Sequence, residues 1–391
     1  MILSGILSVL AFCLLVPIGL LFFQTILALF PVKHLSKKIQ IQYSVVILMP
    51  AHNESAVLLD TLNSIFPQLK ENDRVLVVAD NCSDDTATIA RNAGAEVIER
   101  VDLHRRGKSY ALDFGVKHLR ANPPEVVIIV DADCLVSNGA ISTLTQECIH
   151  SDRPIQSLYL MNSPNNSSLK FRIAEFAWLV KDQVRPLGYL RLGMPCQLMG
   201  SGMAFPWSII SKATLASGHL AEDLKLGLEL TALGKAPLFC PDALVTSTFP
   251  ESAEGSQTQR ARWEHGHLGM IVSDAPKLLL QAILKGNVQL MAMVLDMCVP
   301  PLALLLLIIF FVWVMSGLHF WVSASALPLF VSSVDMLLLG CAVLFSWWRF
   351  GRCVLRFSDL AYAPIYTIKK IPLYLKFMLG KKVEWIRTKR D

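Results

Sequence analysis

Residues 2–30 contain no charged side chain, are rich in Leu, Ile and Phe, and end at Pro31. About 20 helical residues cross the hydrocarbon core of a bilayer, so this run is long enough to span one with some tilt. Lys33, His34, Lys37 and Lys38 follow the run. A cleaved secretory signal carries its basic residues first and has a shorter apolar part, so we read a retained anchor. Two further apolar runs, residues 294–315 and 327–348, are joined by a short link containing Gly317 and His319 and are followed by Arg349, Arg352 and Arg356.

Lys and Arg mark the cytoplasmic side of spanning segments. Here they follow the first run, precede the second and follow the third, which predicts an outside N-terminus and an inside soluble half and tail. The expected organisation is an N-terminal transmembrane helix (1–31), a cytosolic domain (40–270), an interfacial helix (271–293), two transmembrane helices (294–348) and a basic cytosolic or interfacial tail (349–391). Residues 274–293 and 352–379 mix apolar residues with Lys, Arg, Tyr and Pro, as helices lying in the headgroup region do, although packing on the soluble domain explains them too. The 53% hydrophobic content follows from this plan. The net charge of +5 concentrates beside the spans, which points to membrane lipids as a partner and away from nucleic acid. Nine cysteines without a C-x-x-C pair suit a reduced compartment better than a disulfide framework or a zinc site. Asp335 falls inside the third run, where a charge is costly.

The soluble half alternates short Val/Ile/Leu runs with helical segments. Residues 44–50, 74–80 and 125–133 read as buried parallel strands. Residues 55–66, 84–93 (with Ser83 as a possible N-cap) and 108–120 read as helices. Alternation of this kind predicts a doubly wound α/β sheet, whose ligands bind at the carboxyl ends of the strands. Asn53 and Glu54 follow the first strand, Asp80, Asn81 and Asp84 the second, Asp131 and Asp133 the third. Each alone passes as a turn or cap residue; all of them at one sheet edge require more. Two carboxylates at i and i+2 can share one hard cation and bridge it to phosphate oxygens, with turn chemistry as the alternative.

"RRGKS" (residues 105–109) lacks the first glycine of a P-loop, which would stand at Asp102. A Gly-Lys at a helix start still offers N–H groups and a charge to an anion, or else is a solvated basic turn. "QRARWEHGH" (residues 259–267) admits three readings: a nucleic-acid patch, a His-x-His metal site, or a clamp on an anionic substrate. The first lacks interleaved basic and aromatic residues, and the second lacks i, i+4 spacing and a completing cysteine.

Taken in order, "PAHNE", "VADNCSDDT", "RGKSYAL", "VDADC", "GSGMAF", "AEDLKLGLEL" and "QRARW" resemble the membrane-bound family 2 glycosyltransferases, which include the cellulose, chitin, hyaluronan and poly-N-acetylglucosamine synthases. The similarity runs from about Val45 to Trp263. It implies a GT-A (Rossmann-like) α/β domain using a nucleotide-sugar, a UDP-sugar by analogy, with Mg²⁺ or Mn²⁺ and inversion at the anomeric carbon. Glu54 and Asp80 would hold the nucleoside, Asp131 and Asp133 the diphosphate and its metal, and Asp223 would be the general base beside Glu222. Lys108 would approach the diphosphate, and the small-residue loop around Gly200 and Ser201 would admit the acceptor. Gln259, Arg262 and Trp263 match the Q-x-x-R-W pattern and would close over donor and acceptor. Acids in the first turn of a helix also have a dipole explanation for Glu222 and Asp223.

An inverting displacement needs an acceptor-side base and charge stabilisation on the leaving side, but no enzyme nucleophile. The resemblance also implies a bacterial inner-membrane location. Three spans are few for a polysaccharide channel, which favours a lipid-linked acceptor. Processive synthesis through a homo-oligomer or polysaccharide-export partners on a glycan acceptor is the alternative, and an inactive nucleotide-sugar-binding scaffold the non-enzymatic one. Asn165 begins an N-glycosylation pattern that a cytosolic domain leaves unused.

Overall fold

A computed structural model describes residues 2–31, 43–164 and 167–379. Lys33, His34, Lys37, Lys38, the pattern at Asn165 and the end of the tail from residue 380 lie outside the described residues. The strands are β1 (Val45–Ala51), β2 (Arg74–Asp80), β3 (Glu96–Arg100), β4 (Val126–Ile129), β5 (Leu135–Val136), β6 (Ile155–Asn162), β7 (Met203–Pro206) and β8 (Leu238–Thr248). They form one sheet in the order β3-β2-β1-β4-β7-β6-β8-β5. Pairings β3-β2, β2-β1 and β1-β4 are parallel, while β4-β7 and β7-β6 are antiparallel.

The continuous apolar runs of β1, β2 and β4 exist because both faces of the sheet are covered. Val45, Ile47 and Met49 join one core with Val75, Val77, Val126 and Ile128. Val46 and Leu48 join the other with Leu76, Val78, Val127 and Ile129. Side chains alternate across a strand, so one sequence feeds two layers.

The helices, in chain order, are α1 (Ile2–Ala28), α2 (Leu58–Ile65), α3 (Thr86–Asn92), α4 (Lys108–Leu119), α5 (Ala140–Ser151), α6 (Leu169–Leu179), α7 (Arg185–Arg191) and α8 (Trp207–Ile210). They continue with α9 (Glu222–Ala232), α10 (Ala253–Ser273), α11 (Ala275–Leu284), α12 (Val288–Met297), α13 (Leu302–Ser323), α14 (Leu327–Ser346), α15 (Ala363–Ile368) and α16 (Ile371–Met378). Three helical segments are long and apolar enough to cross a membrane: Ile2–Ala28, Leu302–Ser323 and Leu327–Gly351. α1 packs on both α13 and α14, and also on α7 of the soluble half.

Several boundaries depart from expectation. The second span begins at Leu302 rather than 294, because Pro300 and Pro301 lack N–H groups and break the helix there. Gly317 and His319 lie within α13, and the link is the short stretch after Ser323. The expected interfacial helix at 271–293 is instead the end of α10, then α11 and α12. The chain breaks at Gly286 (φ +60°), and Asn287 caps α12 by accepting from the Leu290 N–H at 2.9 Å. Ser83 is not the cap of α3, which starts at Thr86. The Asp84 carboxylate accepts the Thr86 N–H, while the Ser83 N–H donates to Asn53 Oδ1. α2 begins at Leu58, after a turn at residues 55–57.

Candidate active site

β1, β2 and β4 lie side by side and parallel, so their carboxyl ends open on one edge. Asn53 and Asn81 adopt left-handed backbone (φ 56° and 52°) just beyond β1 and β2, a conformation Asn tolerates, and turn the chain off the sheet. The Asp102 N–H donates to Asn81 Oδ1 at 2.8 Å, fixing the loop that carries "RRGKS". Asp80 ends β2, buried, with Oδ1 accepting from Arg100 at 2.6 Å and Asn81 at 3.0 Å. Asp80 and Glu54 both line the cavity described below.

Beyond β4, Asp131 Oδ1 lies 2.5 Å from Lys108 Nζ, and Lys108 also donates to the Gly200 carbonyl at 2.6 Å. Lys108 is therefore not the solvated basic turn; its side chain is 21% exposed. Burial pulls its pKa down, but Asp131, Glu222 and Asp223 together outweigh burial and raise it. Asp131 moves up in turn: burial disfavours its charge, and Asp133 adds to this against the pull of Lys108.

Gly200 has φ +93°, and a Cβ there would lie 3.2 Å from Asp223 Oδ2 and 3.6 Å from Lys108 Nζ. Only glycine lets the loop pass this close to both groups. Asp223 sits in the first turn of α9, its Oδ1 accepting the Leu224 N–H. Burial, then the charge of Asp223, pushes neighbouring Glu222 up to about 7. Ser201 is fully buried beneath the cluster: its Oγ accepts the Asp131 N–H at 3.1 Å and donates to Cys134 Sγ at 3.2 Å. It positions Asp131 from behind rather than facing the open space.

Asp131, Asp133 and Cys134 bring ligand atoms within 4.8 Å of one another. The two carboxylates suit a hard divalent cation. Cys134 does not: burial, with Asp133 and Asp131 adding, pushes its thiol well up, and a protonated soft sulfur is a poor ligand for such an ion. Ser247 Oγ donates to Asp133 Oδ2 at 3.0 Å and orients it.

A cavity of about 500 Å³ faces these acids. Gln259, Arg262 and Trp263 line it from one face of α10, where i, i+3 and i+4 fall together. Gln259 is buried and its Oε1 accepts no hydrogen bond. Trp263 packs against Trp178, ring centroids 4.8 Å apart at 49°. The "EHGH" half of the segment continues α10. Glu264 pairs with Lys370, His265 meets the Leu373 carbonyl at 3.1 Å and His267 the Met297 carbonyl at 2.8 Å. These contacts tie α10 to α12 and α16. Burial, helped by Lys181 and Arg185, lowers His267 to about 4.

Residues 42–266 match the family described as "Glycosyltransferase like family 2". The chain belongs to this glycosyltransferase family. Among curated relatives, this glycosyltransferase is 26% identical over 236 residues to "Probable glycosyltransferase YdaM" of Bacillus subtilis, covering 56% of this chain and 54% of that protein. It is 25% identical over 232 residues to a poly-beta-1,6-N-acetyl-D-glucosamine synthase of Staphylococcus aureus, covering 58% and 55%. The chain thus spans about half the length of the curated relatives it matches. A solved mannosyltransferase from Pyrobaculum calidifontis, in complex with GDP-Man and Mn²⁺, matches with TM-score 0.58 at 14% identity, over 96% of this chain and 100% of that one. The glycosyltransferase has the GT-A, Rossmann-like fold with a mixed sheet.

The cavity also reveals wall residues that the motifs do not mark: Trp178, Lys181, Asp182, Arg185 and Asp296. Arg185 Nε donates to Asp296 Oδ1 at 3.2 Å, and Gln24 Nε2 of α1 donates to the same oxygen at 2.8 Å. This buried network joins α1 to α7 and α12. Its sequence signal is the pair Gln24 and Asp296, polar residues set in otherwise apolar segments; Arg185 follows Lys181, Asp182 and Gln183 and does not stand out.

Proposed function

We propose that the chain is an inverting, Q-x-x-R-W-type transferase that moves a sugar from a UDP-sugar to a lipid-linked acceptor at the cytosolic face of a bacterial inner membrane. One observation carries this reading. The cavity that holds Asp131, Asp133 and Asp223 is also lined by Leu302 and Leu306 of α13 and by Leu339 and Val343 of α14. A polar reaction end and an apolar wall built from spanning helices suit an acceptor with a sugar or phosphate head and a hydrocarbon tail.

Asp223 takes the proton of the acceptor hydroxyl. That oxygen bonds to the anomeric carbon as the bond to the diphosphate breaks, and the nucleoside diphosphate leaves. Lys108 and Arg262 offer positive charge to the departing diphosphate. Glu54 and Asp80 face the nucleoside, and Gln259 and Trp263 the sugars. Gly200 supplies room beside the base, Ser201 holds Asp131, and Glu222 limits the charge around Asp223. A divalent ion, Mg²⁺ or Mn²⁺, held by Asp131 and Asp133, would neutralise diphosphate charge.

Asp223→Asn keeps the shape of the side chain and removes the base. Transfer from UDP-sugar with Mn²⁺ is expected to fall at least about 100-fold while nucleotide binding persists. Full turnover by Asp223→Asn would refute the base assignment. The similarity to a poly-N-acetylglucosamine synthase favours a second reading, processive synthesis with partner subunits or a second copy, which would give a ladder of products rather than one.

A further inference from the structure

α6 and α7 are joined by a π-helical turn, Val180–Val184, that keeps the two helices continuous. Such a turn holds one residue more than an α-helical turn and re-aims the side chains that follow, which is why π-turns recur at functional sites. Asp182 stands at the middle of this turn. Asp182 is 1% exposed and lines the cavity, and neither carboxylate oxygen accepts a hydrogen bond.

A buried carboxylate in that state is costly and calls for a partner. Among the described residues it makes one ion pair, with Lys181. Lys181 Nζ lies 3.1 Å from Asp182 Oδ1 without hydrogen-bond alignment, and the same ammonium sits 4.8 Å from the centroid of the Trp178 ring. Arg185 is committed to Asp296, with contacts at 2.9 Å to Oδ1 and 2.5 Å to the carbonyl. Asp182 and Asp223 line the same cavity. Trp178, meanwhile, is paired with Trp263 on the same wall.

A carboxylate next to aromatic rings is what recognises a sugar: rings cover its apolar face, and the carboxylate accepts from its hydroxyls. We propose that Asp182, with Trp178 and Trp263 beside it, forms the subsite for the acceptor's sugar, its carboxylate accepting a hydrogen bond from a hydroxyl of the sugar whose other hydroxyl reacts at Asp223. This assignment rests on the transferase reading above, and it specifies an acceptor that already carries a sugar, as opposed to a bare lipid phosphate.

The test uses the purified full chain with Mn²⁺ and a panel of UDP-sugars and GDP-mannose. Nucleoside diphosphate release is followed without acceptor, as hydrolysis, and with p-nitrophenyl β-glycosides of glucose, mannose and N-acetylglucosamine as acceptor probes. At least one probe is expected to stimulate release by the wild type. Asp182→Asn and Asp182→Ala are expected to raise that probe's KM about ten-fold or more, with donor KM and acceptor-free hydrolysis within about two-fold of wild type. An unchanged probe KM in Asp182→Ala overturns the subsite. So does a parallel loss of hydrolysis and transfer in the isosteric Asp182→Asn, which marks a structural charge. Hydrolysis that no probe stimulates overturns it as well and leaves the transferase reading standing. Wild-type protein that releases nucleotide from no donor overturns both.

Discussion

Glu222 holds its proton near neutrality because burial, and next the charge of Asp223, push it from an ordinary 4.5 up to about 7. The native state therefore keeps a proton that the unfolded chain releases across this window. Glu222 contributes stability that is fully present below about 4.5 and is lost as pH rises through about 7. His267 has the opposite sign: lowered from 6.5 to about 4, it contributes stability above 6.5 that is lost as pH falls through about 4. Comparing Glu222→Gln with wild type cancels the histidine. The thermal midpoint of the variant is expected to gain on wild type by a few degrees between pH 5 and 7.5, measured by scanning fluorimetry. A difference that does not vary with pH would contradict this placement of the proton. At this scale the acids of "VDADC" and "AED" were legible because each stands at a strand or helix end within an ordered set of motifs. Asp182 was not, since beside Lys181, Gln183 and Arg185 it reads as an exposed turn of charge. Its burial and its place in the π-turn are visible only in the folded structure.

Among the elements, β1, β2 and β4 were the easiest to read, because two covered faces force unbroken apolar runs; β3, β5, β6, β7 and β8 were not read as strands, being either very short or interrupted by polar residues. Helix ends were harder, because tertiary contacts decide them. Asp84 displaced Ser83 as the group serving the start of α3, and Gly286 divided a segment whose composition suggested one helix. The approach of α1 to α7 left little trace in the sequence beyond Gln24 and a glycine. A Cβ on Gly188 would lie 2.2 Å from the Gln24 carbonyl oxygen and 2.6 Å from its Cα, both backbone atoms that cannot swing aside. Gly188→Ala is expected to force α1 and α7 apart, costing about 1–3 kcal/mol and lowering the thermal midpoint by several degrees. Gly19→Ala in α1, where a Cβ meets nothing within 4 Å, is the control and is expected to be neutral or slightly stabilising. Equal effects of the two substitutions would show that this helix contact carries little of the stability.

Across the whole molecule, the three long apolar helices are not detached from the α/β domain. α1 reaches the catalytic half through Gln24 and Gly188, α10 reaches α12 and α16 through "EHGH", and α13 and α14 supply an apolar wall to the cavity that holds the acids. Three apolar runs were visible in the sequence, as was the α/β alternation between them. Their joining into one cavity was not, because it depends on packing between residues that lie far apart in the chain. If that cavity seats a lipid-borne acceptor, chemistry and membrane attachment are one structure. The direct measurement is to incubate the protein in its native membranes with radiolabelled UDP-sugars and Mn²⁺, then separate the products by organic extraction and chromatography. Label in a single organic-soluble species extended by one sugar, lost with Asp223→Asn, is the expected result. A water-soluble polymer ladder, or no transfer of label from any donor, would contradict a lipid-linked acceptor.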